Sequence, residues 1–287
     1  MHKMEELLGG IEAGGTKFIC AIGKQSGEIL DYQEIPTTTP SETFDKVTTF
    51  FKSGQSITAL GIGLFGPVDL DRDSGTYGYV TNTPKQDWAN TNIKKMLEAL
   101  GVPIAIETDV GCAALGEYFY GPAKDYNDFL YVSVGTGVGG AFMIKGELHH
   151  EKKHSEMGHI FIPHDFIQDP FDGVCPYHGD CFEGLASGPA IEDRAGEKAE
   201  KVIDPFRWDL EAQYLAEGVS SLMMVLNPEL IILGGGVMKH GGLVGETTRR
   251  IKSLVNNYTE LPSIIAASDR NAVLGAIKLA SQFRIPG

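Results

Sequence analysis

The sequence predicts an α/β fold, and three features of the 287-residue chain support that prediction. Apolar stretches of strand length alternate with helix-like stretches along the whole chain, as in sheets covered by helices. Glycine is frequent, with 36 residues, and it clusters where strands are expected to turn. Hydrophobic residues make up 42% and charged residues 22%, so a chain of this length can bury a core without disulfides.

Local patterns define the elements in order. Residues 9–23 (GGIEAGGTKFICAIG) predict a strand, a tight glycine turn and a second strand. Residues 41–53 predict a helix capped by Ser41, and the apolar run at residues 58–64 predicts a buried strand. The later predicted elements are helix 92–100 with Gly101 as C-cap, strand 103–108, small-residue helix 110–118, strand–turn–strand 129–145, amphipathic helix 209–226, strand 230–233 and closing helix 272–283.

Two glycine hairpins resemble each other in the two halves of the chain. Residues 14–23 and residues 139–146 both contain glycines, an apolar strand and a closing glycine. This similarity indicates a duplicated hairpin, although glycine-rich hairpins also resemble each other without duplication. We predict a small N-terminal α/β domain over residues 1–118, with helix 272–287 packing back on it. A larger α/β domain over residues 119–271 would carry the metal site described below.

Charge and composition exclude several classes of protein. The net charge of −14 repels phosphate backbones, so neither nucleic acid nor an anionic membrane is expected as a partner. No apolar run reaches the length of a membrane span, and the N-terminus lacks the apolar core of a secretory signal. We therefore expect a cytoplasmic protein whose four cysteines are free thiols or metal ligands.

The glycine clusters suit phosphate binding, because glycine lets backbone N–H groups approach phosphate oxygens closely. Residues 10–15 have P-loop spacing, but Thr16-Lys17 and a strand follow instead of Lys-Ser/Thr and a helix. Residues 61–66 match a dinucleotide fingerprint, yet no helix follows. Tight turns alone would explain each cluster. Three strand-flanking clusters in one α/β chain favour a nucleotide site.

Asp109 is a candidate catalytic carboxylate. It lies where the predicted strand 103–108 meets the small-residue helix 110–118, so its side chain can project at the carboxyl end of a strand. The alternative role for an aspartate at this position is to cap the helix. Capping and catalysis are compatible, and both remain open at this point.

Residues 175–181 form a Cys-x₂-His-x₂-Cys pattern, and His159 lies upstream. Cys175, His178, Cys181 and His159 supply the four nitrogen and sulfur ligands of a tetrahedral zinc site. Four protein ligands leave no open position, so the predicted zinc is structural. Free thiols and a surface histidine are the alternative. We interpret His149, His150 and His154 as part of a solvated loop.

Together these segments resemble the ROK family of sugar kinases over nearly the whole chain, and they look most like its bacterial fructokinase branch. Jointly the segments are specific, whereas singly only the cysteine–histidine stretch is. The matching segments are residues 10–17, 61–67, 108–117, 135–140, 156–159, the Cys175/His178/Cys181 group and residues 233–236.

The resemblance implies an actin-like, hexokinase-like fold of the ribonuclease H-like class, with two α/β domains closing over a sugar and ATP·Mg²⁺. It implies that Asp109 is the general base, that Glu156, His159 and Glu183 bind sugar hydroxyls, and that Asn82 lies near them. The positions implied to line the nucleotide are Gly14, Gly15, Thr16, Lys17, Thr136, Gly137, Gly188, Pro189, Gly234, Gly235 and Gly236.

The branch implied by the resemblance converts D-fructose to fructose 6-phosphate and forms a homodimer. Glu12 and Thr108 stand where many members have aspartate and asparagine. Because Glu12 replaces aspartate, the sequence does not decide whether this position contacts Mg²⁺. Because Thr108 replaces asparagine, a sugar-binding amide is absent, which argues against glucose as the substrate. His178 stands where glucokinase-like members commonly have cysteine.

Three alternatives remain open. A kinase of the same family for glucose, mannose or N-acetylmannosamine differs by small changes in the sugar pocket. A sugar-responsive repressor is disfavoured, because the phosphate motif begins by residue 10 and the net charge is negative. A non-catalytic sugar or nucleotide sensor would need Asp109 to be only a helix cap.

Overall fold

The computed structural model describes residues 6–85, 87–150 and 153–282. The chain divides into two compact units. The first comprises Met1–Asp125, Leu148–His154 and Asp269–Gly287, and the second comprises Tyr126–Glu147 and Ser155–Ser268. The end of the predicted C-terminal helix, residues 283–287, lies outside the described residues.

The helices and strands of both units alternate along the chain. In chain order they are β1 (Leu7–Ala13), β2 (Lys17–Lys24), β3 (Ile29–Pro36), α1 (Pro40–Ser53), β4 (Ala59–Leu64), β5 (Tyr79–Val80), β6 (Thr91–Asn92), α2 (Ile93–Leu97), β7 (Ile104–Thr108), α3 (Asp109–Tyr120), β8 (Phe129–Val134), β9 (Val138–Ile144), β10 (Glu147–Leu148), α4 (Phe182–Ala186), α5 (Gly188–Ala195), α6 (Pro205–Leu226), β11 (Leu230–Gly234), α7 (Leu243–Val255), β12 (Ser263–Ala266) and α8 (Asn271–Ala280).

A five-stranded sheet in the order β3-β2-β1-β4-β7 forms the centre of the first unit. Strands β1 and β2 are antiparallel, whereas β1, β4 and β7 run parallel. The inner strands β1 and β4 are buried almost throughout, which explains their continuous apolar runs. On one side of the sheet an aromatic core of Phe18, Phe44 and Trp88 packs beneath α1.

Helices α3 and α8 pack against each other so closely that glycine is needed at the crossing. A Cβ atom on Gly275 would lie 1.7 Å from the Cys112 carbonyl oxygen, and one on Gly116 would lie 1.9 Å from the Asn271 carbonyl oxygen. The small residues in the α3 sequence are therefore explained by this helix–helix contact.

The second unit repeats the strand order of the first. Its sheet runs β10-β9-β8-β11-β12, with an antiparallel hairpin followed by parallel strands. Helix α6 covers this sheet with a buried face that includes Leu215 and Val219. The shared topology agrees with the hairpin duplication inferred from sequence.

Most predicted elements are present, with two kinds of difference. Helix α1 begins at Pro40 and is capped by Thr39, whose side chain accepts a hydrogen bond from the Glu42 N–H, so the assignment of Ser41 as the cap is wrong. Strands β3 and β12 and helix α7 were not predicted. Among the described residues, no helix has the length and apolar character needed to cross a membrane.

Candidate active site

The carboxyl ends of the parallel strands bring several predicted residues to one edge of the first sheet. Ala13 pairs with Leu64, and Leu64 pairs with Thr108, so the ends of β1, β4 and β7 lie in one row. Neighbouring strands are about 4.8 Å apart, which places the ends of β1 and β7 about 10 Å apart. The glycine turn that follows β1 and the Asp109 that follows β7 therefore share this edge.

Asp109 begins α3 but does not cap it. The Thr108 hydroxyl accepts a hydrogen bond from the Gly111 N–H at 2.9 Å, so Thr108 is the cap. Asp109 Oδ1 accepts a hydrogen bond from the Val110 N–H at 2.8 Å, and the residue is half-buried. The alternative role of Asp109 as the cap is thus wrong.

The surroundings of Asp109 favour a base that titrates near neutrality. Burial raises the pKa of Asp109 to about 7, and the negative charges of Glu12 and Glu107 raise it further against the opposing hydrogen bond from Val110. A general base works best when its pKa lies near the working pH. Asp109 has that property without any bound ligand.

Two histidines fold back onto this part of the first unit. His150 Nε2 lies 3.0 Å from Glu107 Oε2, and this contact raises the pKa of His150. His154 Nε2 accepts a hydrogen bond from the Val68 N–H at 3.1 Å. The interpretation of these two histidines as a solvated loop is wrong, whereas His149 is exposed as expected.

The turn between β1 and β2 carries Gly14, which contacts the Lys17 backbone, and Gly15, which faces open space. The Gly14 N–H donates to the Lys17 carbonyl oxygen at 3.0 Å, and a Cβ on Gly15 would have no described heavy atom within 4 Å. The Lys17 side chain, however, points to strand β3, where its Nζ lies 2.7 Å from Glu34 Oε1. Lys85 instead reaches the turn, with its Nζ donating to the Gly15 carbonyl oxygen at 2.6 Å. Sequence reasoning missed Lys85.

The equivalent turn of the second unit, between β8 and β9, gathers most of the remaining glycines predicted to bind nucleotide. The Gly188 N–H, at the start of α5, donates to the Gly135 carbonyl oxygen at 2.7 Å. Gly235 has a φ of +92°, and a Cβ there would lie 2.2 Å from the Val134 carbonyl oxygen. Thr136 is exposed at the tip of the turn. Three separate glycine segments thus meet at this turn.

Glu183 connects this turn to the predicted sugar residues of the second unit. Its Oε2 accepts a hydrogen bond from the Val138 N–H at 3.0 Å, and its Oε1 lies 4.0 Å from His159 Nε2. Glu156 is exposed and its carbonyl oxygen accepts the His159 N–H at 3.0 Å in the short turn Met157–His159. The structure therefore brings Glu183 and His159 together, while Asn82 lies exposed in the first unit.

The four predicted zinc ligands converge. Their ligand atoms lie within 4.8 Å of one another. His159 Nδ1 is 3.6 Å from both Cys175 Sγ and Cys181 Sγ, and His178 Nδ1 is 3.7 Å from Cys175 Sγ. Tetrahedral zinc with Zn–S near ~2.3 Å and Zn–N near ~2.1 Å separates sulfur and nitrogen ligands by about 3.6 Å. These residues fit a zinc ion.

A buried polar network fixes the loop that carries these ligands. His164 Nδ1 lies 3.1 Å from Asp180 Oδ2, and its Nε2 lies 3.0 Å from the Asp169 carbonyl oxygen. The Asp169 carboxylate in turn accepts hydrogen bonds from Arg194 and Tyr214, at 3.0 and 2.8 Å. Helices α5 and α6 thereby hold the loop.

A family model described as the ROK family matches residues 8–283. The chain belongs to the ROK family. The family assignment made from sequence motifs is therefore confirmed. Proteins similar to it include a fructokinase of Zymomonas mobilis, 41% identical over 98% of this chain and 98% of that protein. A fructokinase of Lactococcus lactis is 42% identical over 90% of this chain and 89% of that protein.

A ROK structure also confirms the predicted hexokinase-like fold. The ROK glucokinase of Streptomyces griseus, solved with glucose and AMPPNP, superposes with a TM-score of 0.82 at 25% identity. The match covers 96% of this chain and 99% of that chain.

Proposed function

We propose that this protein is a fructokinase that transfers the γ-phosphoryl group of ATP to the 6-hydroxyl of D-fructose. The observation that carries the proposal is Asp109, a base with a pKa of about 7 at the same sheet edge as a glycine turn. The choice of fructose rests on relatives that are fructokinases at 41% and 42% identity.

The role of Asp109 is to accept the proton of the attacking hydroxyl. Its pKa of about 7 makes the carboxylate basic enough to take that proton while it remains largely ionised above neutrality. Thr108 cannot bind the sugar as freely as the asparagine it replaces, because its hydroxyl already contacts Gly111 and Glu107. Phosphoryl transfer otherwise depends mainly on positioning and charge stabilisation.

The sugar hydroxyls are proposed to bind Glu156, His159 and Glu183 of the second unit, with Asn82 of the first unit as a further contact. Glu183 is already oriented by the Val138 N–H, and His159 presents Nε2 toward Glu183. A carboxylate accepts hydrogen bonds from two hydroxyls at once, which suits a polyol.

The nucleotide is proposed to bind glycine turns in each unit. In the first unit Gly15 and Thr16 are proposed to offer backbone N–H groups to phosphate, while Gly14 shapes the turn through its own N–H bond to Lys17. In the second unit Thr136, Gly137, Gly188, Pro189, Gly234, Gly235 and Gly236 are the proposed nucleotide contacts. Mg²⁺ would enter with ATP and neutralise phosphate charge.

A structural zinc ion is proposed at His159, Cys175, His178 and Cys181. When bound, the ion would link the short turn Met157–His159 to the segment at residues 175–181 through these four side chains. Since His159 would use Nδ1 for the metal, its Nε2 keeps a fixed direction toward the sugar and Glu183.

A homodimer is proposed through the second unit. Three large apolar side chains near the metal loop are exposed: Phe161 at 74%, Phe166 at 56% and Ile167 at 96%. Clustered exposed apolar side chains are typical of protein contacts. Sedimentation velocity should give twice the chain mass, and a monomer at micromolar concentration would contradict the dimer.

The test of substrate is sugar-dependent ADP formation with Mg·ATP, using D-fructose, D-glucose, D-mannose and N-acetylmannosamine side by side. A kcat/KM highest for fructose is expected. Preference for another hexose would contradict fructose as the substrate but would still support a sugar kinase. No sugar-dependent turnover by folded, zinc-loaded protein would overturn the proposed function and favour a sensor.

A further inference from the structure

We propose that Lys85 binds the transferring γ-phosphoryl group and stabilises its charge, and that Lys17, which the family resemblance places beside the nucleotide, does not. This inference rests on the proposed kinase function and adds a catalytic residue to it. The evidence comes from the turn between β1 and β2. The ammonium that contacts this turn belongs to Lys85, whereas the ammonium of Lys17 pairs with Glu34.

The Lys85 ammonium is held at the glycine turn. Its Nζ donates to the Gly15 carbonyl oxygen at 2.6 Å, between residues that are 70 positions apart in sequence. The residue is half-buried, so it is partly shielded from solvent but still accessible to a ligand. An ammonium has three N–H donors, and one is used on Gly15. Two donors remain for phosphate oxygens.

The segment that carries Lys85 is anchored on both sides. Before it, the Thr81 N–H donates to the Pro67 carbonyl oxygen at 2.8 Å. After it, the fully buried Trp88 donates its ring N–H to the Thr38 carbonyl oxygen at 2.8 Å. Trp88 also packs against Phe65, with ring centroids 5.1 Å apart. These contacts limit the entropy lost when the lysine binds a ligand.

Lys17 is directed elsewhere. It begins β2, where Phe18 points into the core and Lys17 therefore points to the opposite, exposed face. Its Nζ bonds Glu34 Oε1 at 2.7 Å, and this contact holds the pKa of Glu34 below its usual range. Lys17 is thereby paired with an acid on the exposed face, whereas Lys85 contacts a carbonyl oxygen among its described hydrogen-bond partners.

The position of the turn fits the reacting group. It follows β1 at the same sheet edge as Asp109, about 10 Å across two strands. In the transfer, the sugar hydroxyl oxygen bonds to the γ-phosphorus while the bond to the β–γ bridging oxygen breaks. The hydroxyl proton goes to Asp109, and ADP leaves with the bond's electron pair. Lys85 would neutralise charge on the γ-phosphoryl oxygens during this step.

The test compares single-charge deletions by steady-state kinetics with fructose and Mg·ATP. Lys85→Met should lower kcat at least about 100-fold, the loss typical when one transition-state donor is removed. Lys85→Arg should recover part of that loss, because it restores the charge. Lys17→Met should cost less than about threefold, and Lys24→Met, at the far end of β2, serves as the control for loss of one surface charge.

Binding measurements separate catalysis from folding. Calorimetry with a non-hydrolysable ATP analogue and with ADP should show that Lys85→Met weakens the triphosphate at least about 10-fold more than the diphosphate, at unchanged Tm. Near-normal kcat in Lys85→Met, a larger loss in Lys17→Met, or equal weakening of both nucleotides would overturn the proposal. If wild-type protein turns over no sugar, the proposed function fails, and the calorimetric comparison still decides the role of Lys85.

Discussion

The glycine turns between β1 and β2 and between β8 and β9 occupy the same place in two sheets of the same strand order. The charged side chains that contact them have opposite signs. In the first unit the Lys85 ammonium contacts the Gly15 carbonyl oxygen, while in the second the Glu183 carboxylate contacts the Val138 N–H. Each charged group comes from a distant segment, 70 and 45 residues away. The difference indicates that the repeated fold supplies the turn and that residues distant in sequence decide which group lies beside it.

The charges divide the chemistry between the units. A glycine turn with an added cation favours phosphate oxygens. At the second turn the Val138 N–H is already taken by the Glu183 carboxylate, so this end of the turn suits a sugar hydroxyl, while the glycine segments around it remain the proposed nucleotide contacts. The predictions that follow test this division, beginning with the largest expected effect.

Removing the base of the first unit should have the largest effect. Asp109→Asn keeps the size and the hydrogen bond from Val110 but cannot accept the proton, so kcat should fall by about 10²–10⁴-fold. The exposed Asp45→Asn on α1 is the matched control and should be normal. Steady-state kinetics with fructose measure both, and near-normal turnover of Asp109→Asn would remove it from this role.

Removing the metal should act on the second unit. Cys175→Ser should lose zinc by metal analysis and lower kcat/KM for fructose at least about 10-fold, because His159 loses its fixed orientation. Tyr177→Phe changes an exposed neighbour in the same loop and should keep one zinc per chain. A zinc-free preparation with full activity and unchanged Tm would contradict the metal's role.

Neutralising the carboxylate at the second turn should affect the sugar more than the nucleotide. Glu183→Gln should raise KM for fructose about 10-fold, with a smaller change in KM for ATP, since a charged hydrogen-bond acceptor is lost. This pattern is the reverse of the one expected for Lys85→Met. Glu192→Gln, on the neighbouring helix α5, is the control. A larger change in KM for ATP than for fructose would contradict the assignment of Glu183 to the sugar.

The pH dependence should report the base. Since the pKa of Asp109 is raised to about 7, kcat/KM should fall as the pH drops below about 7, where the carboxylate becomes protonated. The Glu12 charge contributes to that rise, so Glu12→Gln should move the acid limb to lower pH by less than about one unit. The exposed Glu28→Gln should leave the limb in place. A limb near 4 in wild-type protein would contradict the raised pKa.

A buried acid in the second unit provides the smallest effect and a contrast with Asp109. Glu211 is 1% exposed, its carboxylate oxygens have no hydrogen-bond partner among the described residues, and burial raises its pKa well above its usual range. The folded state therefore retains a proton that the unfolded chain releases, so stability falls as the pH rises above about 4.5, the pKa of the unfolded chain's glutamate.

Replacing that acid should remove the pH dependence it causes. Glu211→Met should raise the free energy of unfolding at pH 8 by about 1 kcal/mol and change it less at pH 4. Glu217 is unsuitable as a control because it is half-buried on the same helix and burial raises its own pKa, so the exposed Glu260→Met serves instead. Denaturant unfolding at both pH values measures the difference, and equal shifts at both would contradict it. A raised pKa alone thus does not identify a catalytic base.

Local sequence patterns predicted the parts of the site that depend on neighbouring residues. The two hairpins, the strand–helix junction at Asp109 and the Cys175–Cys181 pattern were all visible in this way. Long-range contacts were not, because nothing local shows that Lys85 returns to Gly15 or that His150 returns to Glu107. The contact of Lys17 with Glu34 was hidden for the same reason, since it depends on the pairing of β2 with β3.

The most direct test of the central claim is a ³¹P NMR time course of the zinc-loaded protein with Mg·ATP and D-fructose. The account predicts that the γ-phosphate signal is replaced one-for-one by a sugar phosphomonoester and ADP, and that Asp109→Asn nearly abolishes the exchange. Release of inorganic phosphate instead, or an unchanged spectrum with wild-type protein, would contradict the assignment of a fructokinase.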